Sequence, residues 1–192
     1  MDEILDVTLL VAAAFERIGI VYLIGGSLAS SLHGVPRSTL DVHFVAQLEQ
    51  RKITALIDEL HGTFYLDEDA IRDAIARRTS FNLIHLESYL KADVFVAKDD
   101  EAFRLQMQLR QRFVLGETSN EIVVASPEDV VAQKLSWFAL GGEVSERQWL
   151  DALGVLKVSA PILDLAYLHR IAVLLGVEPL LERALREARL EA

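Results

Sequence analysis

The chain lacks cysteine altogether, and only four prolines occur among its 192 residues. The absence of cysteine excludes a disulfide framework, a thiolate zinc site and a cysteine nucleophile. Basic residues are also fewer than acidic residues. The chain has 19 Lys and Arg and 29 Asp and Glu, which gives a formal net charge of −10. Since an acidic surface repels phosphate backbones on average, binding of nucleic acid would require a local basic patch.

Long apolar runs are missing as well. No stretch approaches the roughly 20 apolar residues needed to cross a membrane. The run from Leu9 to Phe15 is short and follows Asp2, Glu3 and Asp6, where a signal peptide would carry positive charge. We therefore expect a globular cytoplasmic protein with no membrane partner.

The hydrophobic pattern divides the chain into an α/β part and a helical part. Short β-branched and apolar runs predict four or five strands, at 21–24, 40–45, 81–86, 90–97 and 122–125. Helical periodicity and capping residues predict helices at 3–18, 27–33, 49–60, 67–78 and 99–111. From Ser126 onward the pattern predicts about four more helices. We expect two domains, 1–116 and 117–192, packed as one body.

The segment with the most chemical information begins where the first predicted strand ends. Gly25 and Gly26 follow that strand, and Ser27 can cap a helix. Glycines let the backbone approach a ligand closely, and a helix N-terminus favours a phosphate. Asp41 and His43 project from one face of the next strand because alternate residues share a side. A carboxylate at that position can hold a divalent metal.

Two further residues are candidates for the same chemistry. Arg37 lies close enough in the sequence to reach the glycine turn. Asp93 lies among apolar neighbours in a later predicted strand, where a buried carboxylate needs a partner. Asp93 is open to two interpretations: a metal ligand, or a structural acid that pairs with Lys91, Lys134 or Arg37.

In combination these residues resemble the nucleotidyltransferase superfamily of the polymerase-beta type. Its signature is a Gly-Gly-Ser turn, a short helix, a Gly-x-x-Arg-x-Thr segment and an Asp-x-Asp strand. The matching segments here are Gly25-Gly26-Ser27, Gly34-Val35-Pro36-Arg37-Ser38-Thr39 and Asp41-Val42-His43. The second half is most similar to the bacterial AbiEii-type group, through Ser126-Pro127-Glu128-Asp129, Lys134-Leu135 and Arg147-Gln148-Trp149-Leu150-Asp151. The resemblance spans roughly residues 20–157.

The resemblance implies a nucleotidyltransferase-like mixed sheet flanked by helices, followed by a packed C-terminal helical region. It also implies metal-dependent transfer of a nucleotidyl group from a nucleoside triphosphate to an acceptor hydroxyl. The implied catalytic residues are Asp41 and Asp93, and the implied ligands of Mg²⁺ are Asp41, His43 and Asp93. The implied nucleotide-binding residues are Gly25, Gly26, Ser27, Arg37, Lys134, Arg147 and Asp151. The AbiEii-type resemblance adds a role in a toxin–antitoxin pair, with tRNA or protein as acceptor and an antitoxin as partner.

One position departs from the superfamily pattern, because His43 stands where the second Asp is expected. Mg²⁺ prefers oxygen ligands, whereas imidazole suits Mn²⁺ or a later transition metal. Two functions therefore stay open: a single-metal or Mn²⁺-dependent enzyme, and a catalytically impaired nucleotide-binding or protein-interaction module. A third is transfer to a small molecule such as an aminoglycoside, whose positive charge suits an acidic protein.

Two groups of charged residues also have simpler interpretations. Arg147 and Asp151 are one helical turn apart, and the default interpretation is a surface ion pair. The cluster of Arg104, Arg110 and Arg112 either receives an RNA acceptor or forms an exposed helix face.

Overall fold

The computed structural model describes residues 2–114 and 121–190, without the side chain of residue 2. The described residues fall into two units. The sheet unit lies within Met1–Gly25, Ser38–Asp99 and Gln111–Val124. The helical unit lies within Gly26–Arg37, Asp100–Arg110 and Ala125–Ala192. The predicted domain boundary between residues 116 and 117 lies outside the described residues.

The described part of the sheet unit forms a mixed sheet of seven strands, in the order β3-β4-β5-β2-β1-β7-β6. The strands are β1 (Val21–Gly25), β2 (Asp41–Gln47), β3 (Phe64–Tyr65), β4 (Ser80–His85), β5 (Lys91–Val96), β6 (Gln111–Val114) and β7 (Glu121–Val124). The pairs β2–β5 and β1–β7 are parallel, and the other neighbouring pairs are antiparallel. A mixed sheet of this kind confirms the α/β fold class expected from the sequence.

Three α-helices of the sheet unit accompany these strands: α1 (Asp2–Arg17), α3 (Ile53–Leu60) and α4 (Glu68–Arg77). Helix α1 packs on β1, β2 and β5. The rings of Phe15, Tyr22 and Phe44 form an aromatic cluster with centroids 5.5–5.7 Å apart, and all three side chains are buried. Because side chains alternate along β2, this packing leaves Asp41 and His43 on the opposite face of the strand, partly exposed.

The helical unit contains six α-helices within the described residues. They are α2 (Gly26–His33), α5 (Glu101–Leu109), α6 (Pro127–Leu140), α7 (Glu146–Ser159), α8 (Leu165–Leu174) and α9 (Glu178–Ala188). The predicted start of α6 is confirmed, since Ser126 accepts a hydrogen bond from the backbone N–H of Asp129 and Pro127 occupies the first turn. Helices α2 and α6 both pack against α7, and the four helices after Ser126 agree with the predicted number.

Several predicted boundaries are wrong in detail. Strands β3 and β6 were not predicted, and the helix expected over 99–111 ends at Leu109 because Arg110 adopts an extended backbone with ψ 145°. The helix expected over 49–60 begins with a 3₁₀ turn at Gln50–Lys52. Helix α2 starts at Gly26 rather than after a Ser27 cap.

The three arginines that were expected to share one helix lie on different elements. Arg104 lies in α5, Arg110 follows the end of α5, and Arg112 lies on β6, where it pairs with Glu121 at 3.0 Å. The interpretation as a single exposed helix face is therefore wrong.

Among the described residues, no helix combines the length and the apolar character needed to cross a bilayer.

Candidate functional site

The Asp–His–Asp cluster consists of Asp41, His43 and Asp93 in the sheet unit. His43 on β2 lies directly opposite Asp93 on β5 in the parallel register, and Asp41 lies two residues before His43 on the same strand face. The Nε2 atom of His43 is 3.6 Å from Oδ2 of Asp41 and 3.5 Å from Oδ2 of Asp93. One ligand atom from each residue falls within 4.8 Å of the other two. The sheet thus brings together three residues that the sequence singled out.

Neighbouring side chains hold two members of this cluster in place. The hydroxyl of Thr39 donates a hydrogen bond of 2.7 Å to Oδ1 of Asp41. The ring of Phe95 lies against the imidazole of His43, with centroids 5.4 Å apart. Thr39 fixes the rotamer of a carboxylate from the loop before β2, a role that the sequence analysis did not assign to it. The only sequence signal was its place in the Gly-x-x-Arg-x-Thr segment.

The electrostatics of the Asp–His–Asp cluster favour a cation. Burial is the largest effect on Asp93 and raises the pKa of its carboxyl, and the nearby carboxylate of Asp41 raises it further. His43 and Lys91 oppose this rise. Two carboxylates that share one small region repel each other, and a positive ion between them would remove that repulsion.

The donor atoms of the Asp–His–Asp cluster can hold one divalent cation. Two carboxylates and one imidazole form a mixed oxygen and nitrogen ligand set, and all three residues are partly exposed, which leaves access for water or substrate. Mg²⁺ takes oxygen ligands, whereas Mn²⁺ and later transition metals accept imidazole readily. The chemistry of the ligands therefore fits a transition-metal ion better than Mg²⁺.

The two glycines at the end of β1 have different roles. Gly25 is the last residue of β1 and lies opposite His43 in the antiparallel pairing with β2. Gly26, the next residue, has φ +64° and begins α2. An L side chain would be strained in this backbone conformation, so the change from strand to helix requires glycine at this position.

The Arg–Asp–Lys cluster consists of Arg37, Asp151 and Lys134 in the helical unit. Asp151 on α7 accepts hydrogen bonds from Nε and Nη2 of Arg37, both at 2.9 Å, and from Nζ of Lys134 at 2.7 Å. Arg37 Nη2 also donates to the hydroxyl of Ser27 at 2.5 Å. Four of the predicted nucleotide-binding residues therefore form one hydrogen-bonded group.

Burial and charge act in opposite directions in the Arg–Asp–Lys cluster. The side chains of Lys134 and Asp151 are only 5% and 8% exposed. Burial lowers the pKa of Lys134, and the hydrogen bond and charge of Asp151 oppose that change. For Asp151, burial raises the carboxyl pKa, but the hydrogen bonds from Arg37 and Lys134 outweigh burial and lower it. Each of these two groups therefore favours the charged form of the other.

The default interpretation of Arg147 and Asp151 as a surface ion pair is wrong. Asp151 is buried and pairs with Arg37 and Lys134, whereas Arg147 is exposed on α7. The sequence could not reveal this because Arg37 and Asp151 are far apart along the chain.

Gly34 permits a close backbone approach within the helical unit. A Cβ atom at this position would lie 2.8 Å from the backbone N of Val155 and 2.9 Å from the carbonyl oxygen of Ser30. These distances are shorter than normal contacts, so the loop that leads to Arg37 can pack on α7 only with glycine at position 34.

A second buried acid, Asp129, lies in the first turn of α6. Its side chain accepts hydrogen bonds from the hydroxyl of Tyr167 at 2.6 Å and from the hydroxyl of Ser126 at 2.9 Å. Burial raises the pKa of Asp129 to about 6, although these hydrogen bonds oppose the rise. No local sequence signal reports this burial, because Tyr167 comes from α8.

No family model matches the chain, and no curated protein matches its sequence. Solved structures do resemble it. An antigenic nucleotidyltransferase-like protein from Paracoccidioides brasiliensis has a TM-score of 0.56 at 19% identity, with 96% of this chain and 93% of that chain covered. The antibiotic-resistance factor ANT(2'')-Ia in solution has a TM-score of 0.55 at 15% identity, with 97% and 99% covered.

A second structure of ANT(2'')-Ia, in complex with adenylyl-2''-tobramycin, gives a TM-score of 0.56 at 13% identity, with 92% of this chain and 98% of that chain covered. At these identities the similarity concerns the fold. The chain therefore shares its fold with a nucleotidyltransferase-like protein and with ANT(2'')-Ia.

Proposed function

We propose that the protein transfers a nucleotidyl group from a nucleoside triphosphate to an acceptor hydroxyl. The observation that carries this proposal is the Asp–His–Asp cluster, which lies on adjacent parallel strands of a fold shared with nucleotidyltransferase-like proteins. In the proposed reaction the acceptor oxygen forms a bond to the α-phosphorus, the bond between the α- and β-phosphates breaks, and pyrophosphate leaves.

Asp41, His43 and Asp93 are the proposed metal ligands, and Asp93 is also the proposed acceptor of the proton from the attacking hydroxyl. A divalent cation at these ligands would supply positive charge for the developing negative charge on the phosphate oxygens. The ligand chemistry supports Mn²⁺, although Mg²⁺ was the ion implied by the resemblance. Thr39 keeps the Asp41 carboxylate oriented through its hydrogen bond.

The proposed nucleotide-binding residues are those that the resemblance implied. Gly25 and Gly26 offer backbone without side chains, and Ser27 lies in the first turn of α2. Arg37 and Lys134 supply positive charge for a triphosphate. Arg147 is exposed on α7 and carries a further positive charge, while Asp151 contacts Arg37 and Lys134.

We propose a cytoplasmic role with tRNA or protein as acceptor and an antitoxin as partner, on the basis of the AbiEii-type resemblance. A cationic small molecule is the second candidate acceptor, and two observations favour it. The chain carries a net charge of −10, which attracts cations. ANT(2'')-Ia, which has the same fold, binds adenylyl-2''-tobramycin.

The alternative function is a nucleotide-binding or protein-interaction module with impaired catalysis. The presence of His43 instead of a second carboxylate favours it, because a carboxylate helps hold two cations close together. The two functions differ in whether any nucleotidyl group is transferred.

The test is transfer from each of the four α-labelled nucleoside triphosphates to total tRNA, to protein and to an aminoglycoside, with Mg²⁺ or Mn²⁺. Wild type, Asp41→Asn and His43→Asp are compared, and Asp58→Asn, which alters an exposed carboxylate of the same unit, is the control. The proposal expects transfer by wild type and by the control and loss of transfer in Asp41→Asn. Transfer by His43→Asp alone would support the impaired module, and absence of transfer in all variants would contradict the proposed activity.

A further inference from the structure

We propose that Asp151 is a positioning residue, which holds Arg37 and Lys134 together as one polyphosphate-binding group. This inference rests on the nucleotide-binding part of the proposed function. It replaces the implied role of Asp151 as a direct contact to the nucleotide, since a carboxylate repels phosphate oxygens.

The geometry of Asp151 is that of a bridge between two cations. Both carboxylate oxygens accept from the guanidinium of Arg37 at 2.9 Å, which fixes the plane of that group. The Oδ2 atom also accepts from the Lys134 ammonium at 2.7 Å. One carboxylate therefore sets the position of both positive groups.

Burial makes Lys134 dependent on this carboxylate. Its side chain is 5% exposed, and a buried ammonium is costly unless it is paired. The charged groups that face it are Asp151 and Arg147 from α7 and Arg37 from the segment after α2. Among these described groups, Asp151 alone favours the charged form of Lys134 because both arginines repel it.

Two cations and one anion leave the Arg–Asp–Lys cluster with one excess positive charge. Removal of the Asp151 charge would leave the buried Lys134 without the group that favours its charged form, and the pKa of Lys134 would fall further. Arg37 would also lose both carboxylate contacts, and of the hydrogen bonds described above for its guanidinium only the one to Ser27 would remain. Loss of Asp151 is therefore expected to weaken phosphate binding.

The opposite role is competition, in which Asp151 occupies the two cations and phosphate must displace it. The two roles predict opposite effects when the negative charge is removed. Positioning predicts weaker phosphate binding, and competition predicts tighter binding.

Calorimetric binding of inorganic tripolyphosphate to the full chain, without metal or nucleotide, distinguishes these roles. We expect Asp151→Asn to weaken binding at least about tenfold, as expected for loss of charged hydrogen bonds. Asp151→Glu should retain binding within about threefold because it keeps the charge. Glu146→Gln, which removes an exposed charge on the same helix, is the control and should bind at least as tightly as wild type.

Equal or tighter binding by Asp151→Asn would overturn the positioning role, and so would failure of wild type to bind tripolyphosphate. A second measurement covers the case in which Asp151→Asn does not fold. The chain has five lysines, so the Lys134 side-chain nitrogen can be observed by ¹⁵N NMR in wild type and assigned with Lys134→Arg. We expect its hydrogen bond to Asp151 to persist when tripolyphosphate binds, and loss of that hydrogen bond on binding would show that phosphate displaces Asp151 and would overturn the positioning role.

Tripolyphosphate carries no nucleobase, and its binding requires no acceptor. A negative transfer assay combined with the expected tripolyphosphate results would contradict the proposed activity and support the role of Asp151. Transfer by wild type combined with unchanged tripolyphosphate binding in Asp151→Asn would contradict the role of Asp151 alone.

Discussion

His43 lies directly opposite Asp93 in the parallel pairing of β2 and β5, with Nε2 3.5 Å from Oδ2. The pair places one nitrogen donor and one oxygen donor on the same side of the sheet, next to the second carboxylate of Asp41. The identity of residue 43 should therefore decide which metal the Asp–His–Asp cluster prefers.

The variant His43→Asp should increase affinity for Mg²⁺ at least about tenfold. The reason is the added negative charge: two unit charges about 4 Å apart attract by about 1 kcal/mol even in water, and Mg²⁺ carries two charges. The preference of wild type for Mn²⁺ over Mg²⁺ should shrink accordingly. Calorimetric titration of both ions measures the change, and His61→Asp, which adds the same charge at an exposed position of the same unit, is the control. An unchanged Mn²⁺ to Mg²⁺ ratio in His43→Asp would contradict a ligand role for His43.

Thr39 should influence metal binding without contacting the ion. The variant Thr39→Val removes the hydrogen bond to Oδ1 of Asp41 and keeps the shape of the side chain. Loss of such a supporting contact typically lowers metal affinity by about 10- to 100-fold. Titration with Mn²⁺ checks this expectation, and Thr39→Ser, which keeps the hydroxyl, should restore most of the affinity. Equal affinities in all three proteins would show that Asp41 needs no such support.

The buried Asp129 should make the free energy of unfolding depend on pH. Its folded pKa of about 6 lies above the ordinary value of 3.8, so the folded state binds the proton more tightly than the unfolded state does. The stabilisation is complete below pH 4 and is lost as the pH rises through 6. Its size is on the order of 3 kcal/mol, since one pKa unit corresponds to about 1.4 kcal/mol.

The variant Asp129→Asn should remove this dependence. As the pH rises from 4 to 7, the free energy of unfolding of wild type should fall relative to that of Asp129→Asn. Urea denaturation at several pH values measures the shift, and Asp6→Asn, which alters an exposed carboxylate, is the control. A difference that does not vary with pH would mean that Asp129 has an ordinary pKa.

Gly34→Ala should destabilise the helical unit by about 1–3 kcal/mol, the usual cost of overpacking. The added methyl group would meet backbone atoms of Val155 and Ser30, which cannot move as a side chain can. Gly176→Ala is the matched comparison because a Cβ at that position meets nothing within 4 Å although φ is +70°. If the thermal midpoint of Gly34→Ala falls no further than that of Gly176→Ala, the close approach is not important for stability.

Much of the fold could be predicted from local patterns. Strands β2 and β5 have alternating buried and partly exposed residues, and α6 has a strong start signal at Ser126 and Pro127. Strand β3 was missed because it has only two residues, and β6 because only two of its four residues are apolar, whereas β7 of the same length has three. Such short strands depend on pairing with a neighbour rather than on their own sequence.

The candidate site was predictable where its residues share a strand or a motif. Asp41 and His43 follow from period-two alternation, and Asp93 was singled out as an acid among apolar neighbours. The partners of Asp151 and Asp129 could not be predicted, because Arg37 and Tyr167 reach them through tertiary packing. An ion pair or hydrogen bond between distant segments leaves no periodic signal in the sequence.

The pairing of β2 with β5 would also link the proposed metal binding to folding. His43 and Asp93 come from distant parts of the chain and meet only when the two strands are in register. An ion that binds them stabilises the folded state by mass action, and each tenfold rise in its free concentration above the dissociation constant adds about 1.4 kcal/mol. A shift of β5 by one residue would turn Asp93 to the other face of the sheet. A rise in the melting temperature on addition of Mn²⁺ is therefore expected only for a chain in which β2 and β5 are in this register.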